Sequence, residues 1–309
     1  MVDKLIERII ATQNPSVVGL DPALSYLPFE QAKAYSFEEA AKKIFAFNKE
    51  IIDGVYDIVP AVKVQIAYYE MYGIAGLSAF YNTLLYAKSK GLVVISDAKR
   101  NDIGSTASCY SDAFLGETAL TGVSDSAFPS DYLTVNPYLG TDGIEPFLKN
   151  VKKFGKGIFV LVKTSNPSSG ELQDLTLSTG ESVYMKVGAL VNDWGKDYIG
   201  AYGYSSVGAV VGATHRQQAE KLRNAFPDTM FLVPGYGAQG GKAQDLAVCF
   251  DGNGLGAVVN SSRGIICAHK DKAYEGLSVG AAARKAAEAM RADIMNALNL
   301  YKGVKRIGG

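Results

Sequence analysis

Leu92-Val93-Val94-Ile95-Ser96-Asp97-Ala98-Lys99 passes without a break from a β-branched apolar run to an acid and a base two positions apart. A short, continuous apolar run of this kind, bounded by polar residues, predicts a strand buried on both faces. The stretch 92–96 is read as such a strand, and comparable runs stand at 16–20, 58–64, 132–135, 158–163, 207–211, 230–233 and 257–260. Amphipathic stretches lie between them. In 37–52 the apolar residues Ala40, Ile44, Phe45, Phe47 and Ile51 recur at helical spacing, and 77–89, 144–154, 182–194 and 216–225 read alike. An Ala-rich helix is predicted over 279–300. Strand–helix alternation implies a parallel sheet with right-handed crossovers. Eight strands predict a (β/α)8 TIM barrel, in one domain over residues 1–309, with an open doubly wound sheet as the structural alternative.

The composition narrows the function. Lys+Arg and Asp+Glu both number 31, so the formal charge is zero and nothing points to nucleic acid; any anion site must be local. Charges at Asp3, Lys4, Glu7 and Arg8 interrupt the N-terminus too early for a signal peptide, and the apolar runs are of strand length, so a cytoplasmic protein that does not enter membranes is expected. Cys109, Cys249 and Cys267 are odd in number, widely spaced and free of any C-x-x-C, which argues against a disulfide framework or a zinc site. With only His215 and His269 present, Ser-His or Cys-His catalysis has little material, and Lys and Asp must carry the acid–base chemistry.

In a β/α barrel, chemistry concentrates where strands end and βα loops begin. Those ends are polar here: Gly19-Leu20-Asp21-Pro22 after the first strand, Lys63-Val64-Gln65 at the second, Asp97-Ala98-Lys99 at the third, Lys163-Thr164-Ser165 at the fifth. Side chains alternate along a strand, so Asp97 and Lys99 should face one side while Ala98 faces the helices. Asp102 lies just beyond, where the loop can aim it at the same site or at a neighbouring subunit. Taken singly, Asp21 or Asp102 reads as a helix N-cap, Lys63 as a snorkelling side chain and Asp-x-Lys as a structural ion pair. Their coincidence on adjacent strands favours a functional cluster.

A second cluster follows strands seven and eight. Pro234-Gly235-Tyr236-Gly237-Ala238-Gln239-Gly240-Gly241 exposes backbone N–H groups, and Asn260-Ser261-Ser262-Arg263-Gly264 supplies a guanidinium. Loops at these two places form the usual phosphate site of such barrels. Arg263 offers a planar fork of donors and Gln239 an amide. A phosphorylated small molecule is the expected ligand.

The segment Asp97-Ala98-Lys99-Arg100-Asn101-Asp102-Ile103-Gly104-Ser105-Thr106 resembles the signature of the orotidine 5′-phosphate decarboxylase family. Gly19-Leu20-Asp21-Pro22, Lys63, the glycine-rich 234–241 stretch and Arg263 resemble it too, in matching order from residue 18 to 264. The wording Lys63-Val64-Gln65-Ile66-Ala67-Tyr68-Tyr69-Glu70 is similar to the longer bacterial branch. The resemblance implies a homodimeric barrel that converts orotidine monophosphate to uridine monophosphate and carbon dioxide, without metal or organic cofactor. It implies a catalytic tetrad of Lys63, Asp97, Lys99 and Asp102. Asp21 and Lys63 would hold the ribose, with Asp102 and Thr106 reaching in from the partner. Ser165 would meet the pyrimidine edge, and Gln239 and Arg263 the phosphate. Two departures stand out: Asn101 occupies a position where Gly or Ala is more usual, and the 164–181 loop is longer than in compact members.

The chemistry would need these residue types. Loss of carbon dioxide from C6 leaves an electron pair in the ring plane with no sink, so a fixed cation such as Lys99 would stabilise the transition state more than the ground state and then deliver the proton. Two alternatives remain: a Mg²⁺-dependent sugar-phosphate barrel of the hexulose-phosphate synthase type, and a non-catalytic nucleotide-binding barrel. The 103–106 tail and Gln239 favour the decarboxylase over the first, and unused buried charges are too costly to favour the second.

Overall fold

The computed structural model describes residues 1–237 and 240–309. Eight parallel strands close into a barrel: β1 (Ser16–Leu20), β2 (Ala61–Gln65), β3 (Val93–Arg100), β4 (Tyr132–Val135), β5 (Gly157–Lys163), β6 (Ser205–Val211), β7 (Thr229–Pro234) and β8 (Ala257–Ser261). Each strand pairs with its neighbour in chain order, and β8 pairs with β1 through Ser16↔Val259 to Val18↔Ser261. The barrel predicted from the sequence is the one observed, and the open sheet is not.

Eight longer helices accompany the strands: α1 (Val2–Thr12), α2 (Phe37–Val55), α3 (Gly73–Ser89), α4 (Gly104–Leu115), α5 (Thr141–Phe154), α6 (Val183–Gly195), α7 (Arg216–Ala225) and α8 (Val279–Lys302). Ser36 caps α2 by accepting the Glu39 amide, and Ser278 caps α8 by accepting the Ala281 amide. Outward strand residues such as Val62, Val94, Val160 and Val211 pack on the apolar stripes of these helices. Inward residues, among them Val17, Ile95, Tyr132, Phe159 and Leu232, fill the lumen. Val2, Leu5, Ile6 and Ile9 of α1 join that inner core, so α1 plugs one end of the barrel. Each such side chain contributes roughly 1.5–3 kcal/mol when fully buried.

The differences from the predicted elements are local. Strand β2 begins at Ala61, because Pro60 lacks the N–H a ladder needs. Helix α4 was not expected: its Ser- and Thr-rich sequence has no clear apolar period, and it buries Ala107, Ser111, Phe114 and Leu115. A fully exposed antiparallel hairpin, Thr118–Leu120 with Val123–Asp125, was not expected either. Strand β3 runs on through Arg100, with a register shift against β4 between Ser96 and Arg100. Lys99 there adopts φ 49°, a left-handed conformation that costs roughly 1–2 kcal/mol for a residue with a side chain. Thr134 Oγ1 holds it in place by accepting both the Ala98 and the Lys99 amide at 3.0 Å. Among the described residues no helix is long and apolar enough to cross a membrane.

Candidate active site

The carboxyl ends of the strands surround a cavity of about 740 Å³, within the usual range for small-molecule sites. Lys63 and Asp97 sit on adjacent strands β2 and β3, where the register sets Lys63 opposite Ile95 and Gln65 opposite Asp97. Both are nearly buried, at 4% and 7% exposure. Lys63 Nζ donates to Asp97 Oδ2 at 2.7 Å and stands 3.6 Å from Asp21 Oδ1. Lys99 Nζ donates to Asp97 Oδ1 at 2.6 Å, and Thr134 Oγ1 donates to the same oxygen at 2.9 Å. Asp97 and Lys99 meet on one side, as expected, and Ala98 packs toward the helices, although the register shift and the left-handed Lys99 backbone break the regular alternation there.

Asp21 is fixed across the seam between β1 and β8. Ser262 Oγ donates to Asp21 Oδ2 at 2.6 Å. Gly19 permits that bond, since a Cβ there would lie 2.0 Å from Ser262 Oγ.

The charges stabilise one another. Burial disfavours the Lys63 ammonium, but Asp21 and Asp97 outweigh it and raise its pKa above the ordinary lysine value. Burial likewise opposes the Asp97 carboxylate, yet Lys63 and Lys99 hold its pKa well below the usual range. A depressed carboxylate pKa contributes stability that is complete above the unfolded value of ~3.9 and is lost as the pH falls below it. The raised Lys63 pKa contributes stability that is complete below ~10.4 and is lost above it. Thermal melts taken from neutral pH into acid should therefore show a steeper loss below about pH 4 for the parent protein than for Asp97→Asn. Equal acid slopes would show that Asp97 does not carry this linkage.

The other expected residues divide. Arg263, Ser165 and Asp21 line the cavity with Lys63, Asp97 and Lys99. Arg263 makes no ion pair among the described residues and lines the cavity with Pro234, Gly235 and Ser262. Gln239 lies outside the described residues. Asp102 and Thr106 do not line the cavity of their own chain; Asp102 accepts the Ile103 amide at 2.8 Å, and Thr106 is exposed on α4.

Among the lining residues to which the sequence assigned no role are Tyr26, Tyr68, Thr134, Asn260 and Gln173. Thr134 could have been found, since it is the polar residue in the otherwise apolar run of β4. Gln173 could not, because its place depends on how the 164–182 connection folds back. Among the described residues no group of three or more His, Cys, Asp or Glu is placed to hold a metal ion. All three cysteines are free; Cys249 is buried, as a structural thiol should be, but Cys109 is exposed.

A closed parallel barrel with a charge network on neighbouring strand ends, and a guanidinium lining the same cavity that makes no ion pair among the described residues, defines an α/β-barrel enzyme for a small anionic substrate. Residues 18–277 match the orotidine 5′-phosphate decarboxylase / HUMPS family. An orotidine 5′-phosphate decarboxylase of Clostridium perfringens (strain 13 / Type A) is 44% identical over 299 residues, 96% of this chain and 99% of that protein. One from Rhodopirellula baltica is 45% identical over 303 residues, 97% of this chain and 98% of its own length. The solved structure of Leishmania donovani OMP decarboxylase superposes with a TM-score of 0.71 at 26% identity, covering 96% of this chain and 98% of that one. The chain belongs to the orotidine 5′-phosphate decarboxylase / HUMPS family.

Proposed function

We propose that the chain decarboxylates orotidine monophosphate, with Lys99 as the cation that stabilises and then protonates C6. The activity is that of a carboxy-lyase in pyrimidine biosynthesis, as in the relatives it matches along nearly its whole length. The observation that carries the assignment to Lys99 is the grip of two ammoniums and one hydroxyl on a single buried carboxylate, Asp97, that lines the cavity.

The bond between C6 and the carboxylate breaks, its electron pair stays on C6, and neutral carbon dioxide leaves. The Lys99 ammonium faces the developing carbanion, gives it a proton to form uridine monophosphate, and regains one from solvent. In this reading Asp97 lies close to the substrate carboxylate. Two like charges about 4 Å apart repel by roughly 4 kcal/mol at an effective dielectric near 20, and that repulsion ends as carbon dioxide departs. Lys63 keeps Asp97 ionised and, with Asp21, faces the ribose. Ser165 meets the pyrimidine edge; Arg263 and Gln239 take the phosphate.

The working unit in this reading is a homodimer of single-domain barrels in the cytoplasm. Asp102 and Thr106 lie outside their own cavity, and Ile103, Tyr138 and Leu139 beside them are exposed apolar side chains, Tyr138 at 76%. A second copy covering that face would receive Asp102 and Thr106 into its own site and complete the tetrad. The Mg²⁺-dependent alternative is disfavoured by electrostatics: both Asp97 oxygens already accept from lysines, whose charges would repel a divalent ion.

Loss of the orotate absorbance on mixing orotidine monophosphate with the protein, unchanged by a chelator and yielding uridine monophosphate, is the expected result. Chelator-sensitive turnover would move the assignment to the Mg²⁺ barrels. Binding without turnover would leave a nucleotide-binding protein.

A further inference from the structure

Lys163, the last residue of β5, is a fully buried lysine that the chemistry above does not use. Phe159 belongs to the inner core and Leu161 lines the cavity, so alternation would send the Lys163 ammonium into the cavity as well. A register shift between Leu161 and Lys163 in the pairing with β6 interrupts that alternation, and Lys163 does not line the cavity. Its Nζ instead donates to both oxygens of Asp174 at 2.9 Å and to Ser169 Oγ at 3.2 Å.

Thr164, next in the chain, is held by the same returning segment. Gln173 Oε1 accepts the Thr164 amide at 2.9 Å, and Gln173 Nε2 donates to Thr164 Oγ1 at 2.7 Å. Thr164 Oγ1 in turn donates to Asn166 Oδ1 at 2.6 Å. The two residues before Ser165 are thus each gripped by 169–174. From the other side the end of β6 presses on Ser165 itself: a Cβ on Gly212 would stand 2.7 Å from the Ser165 nitrogen, and Thr214 Oγ1 donates to the Ser165 carbonyl at 3.4 Å.

We propose that Lys163 and Asp174, with Gln173, form a latch that folds the 164–182 connection back on itself and positions Ser165 at the base-recognising end of the cavity. The inference rests on the reading that Ser165 meets the pyrimidine. An ammonium with no water and no partner is very unfavourable, so 169–174 cannot leave without stranding Lys163. The latch spends a buried charge on loop geometry. Lys163 and Asp174 lie off the cavity and are positioning residues. Gln173 both holds Thr164 and lines the cavity, so Asp174→Asn is the variant that reads positioning alone. It also gives the long connection a role: the extra residues carry the partners that hold Lys163 and Thr164.

The test compares Asp174→Asn, Gln173→Ala and the exposed control Glu171→Gln in the full chain. Calorimetry measures uridine monophosphate, which carries the base, against ribose 5-phosphate, which lacks it. Asp174→Asn and Gln173→Ala should each weaken uridine monophosphate about five- to tenfold while leaving ribose 5-phosphate within about twofold. Glu171→Gln should change neither, and Asp174→Glu should restore part of the loss. Hydrogen exchange at the Thr164 amide should quicken in Gln173→Ala. Gln173→Ala keeps the Lys163 ion pair, so it serves if Asp174→Asn fails to fold. Equal weakening of both ligands, or no weakening of either, overturns the latch. Failure of the parent protein to decarboxylate orotidine monophosphate would instead overturn the proposed reaction, and the exchange measurement would still read the latch.

Discussion

Lys99→Ala is expected to lower kcat roughly 10⁴-fold or more while the protein still folds. The figure combines two roles removed at once: a charge placed against the developing carbanion, worth about 10²- to 10³-fold for one such group, and general acid catalysis, worth about 10²- to 10⁴-fold. The fold should tolerate the change because the Lys99 side chain is 45% exposed, and Asp97 keeps Lys63 and Thr134 as partners. The left-handed backbone at Lys99 is retained by the two amides on Thr134, not by the ammonium. Single-turnover absorbance measurements beside a thermal melt check both halves. Turnover near the parent rate would remove Lys99 from the chemistry, and an unfolded variant would show that the Lys99–Asp97 pair holds the barrel mouth together.

Arg263→Ala is expected to reduce kcat/KM for orotidine monophosphate about 10²- to 10⁴-fold, the loss of two charge-assisted hydrogen bonds at about 1.5–3 kcal/mol each. Nothing in the fold requires this side chain: it makes no ion pair among the described residues and lies at the cavity wall. The phosphate is remote from C6, so its binding energy acts on the reaction only through the substrate that carries it. The decisive comparison uses orotidine without phosphate. The parent and Arg263→Ala should process that truncated substrate at nearly the same rate. A large difference there would mean that Arg263 acts on the reacting end, and unchanged kinetics with the full substrate would remove it from the site.

The two halves of the site were legible to different degrees. Asp21, Lys63 and Asp97 follow from barrel parity, because each is a charged residue at the end of an apolar strand and the barrel brings strand ends together, whereas Lys99 lies past a register shift and follows only from its nearness to Asp97. Arg263 follows from its place after the last strand. Asp102 and Thr106 are legible as motif residues only; strand parity says nothing of a loop whose destination lies off the chain's own cavity. The latch was hidden for another reason. Lys163 has the right parity for the cavity, and a bulge diverts it; one residue of register slip reverses a side chain, and no apolar pattern marks the slip. Helix α4 escaped notice because Ser and Thr blur its period, whereas α7 was found to the residue because Ala219 and Leu222 fall on one face.

The bond from Ser262 to Asp21 joins positions 241 residues apart and lies on the seam where the last strand meets the first. During synthesis at roughly 5–20 residues per second, β1 therefore waits on the order of tens of seconds for β8. Throughout that interval its outer edge offers unpaired N–H and C=O groups, and Asp21 has no hydroxyl to hold it. The last strand of the barrel to be made thus both seals the sheet and finishes the ribose end of the site. Yield on refolding from denaturant should accordingly be limited by encounters between open barrels, and so by protein concentration, well before the equilibrium stability of the closed form is tested.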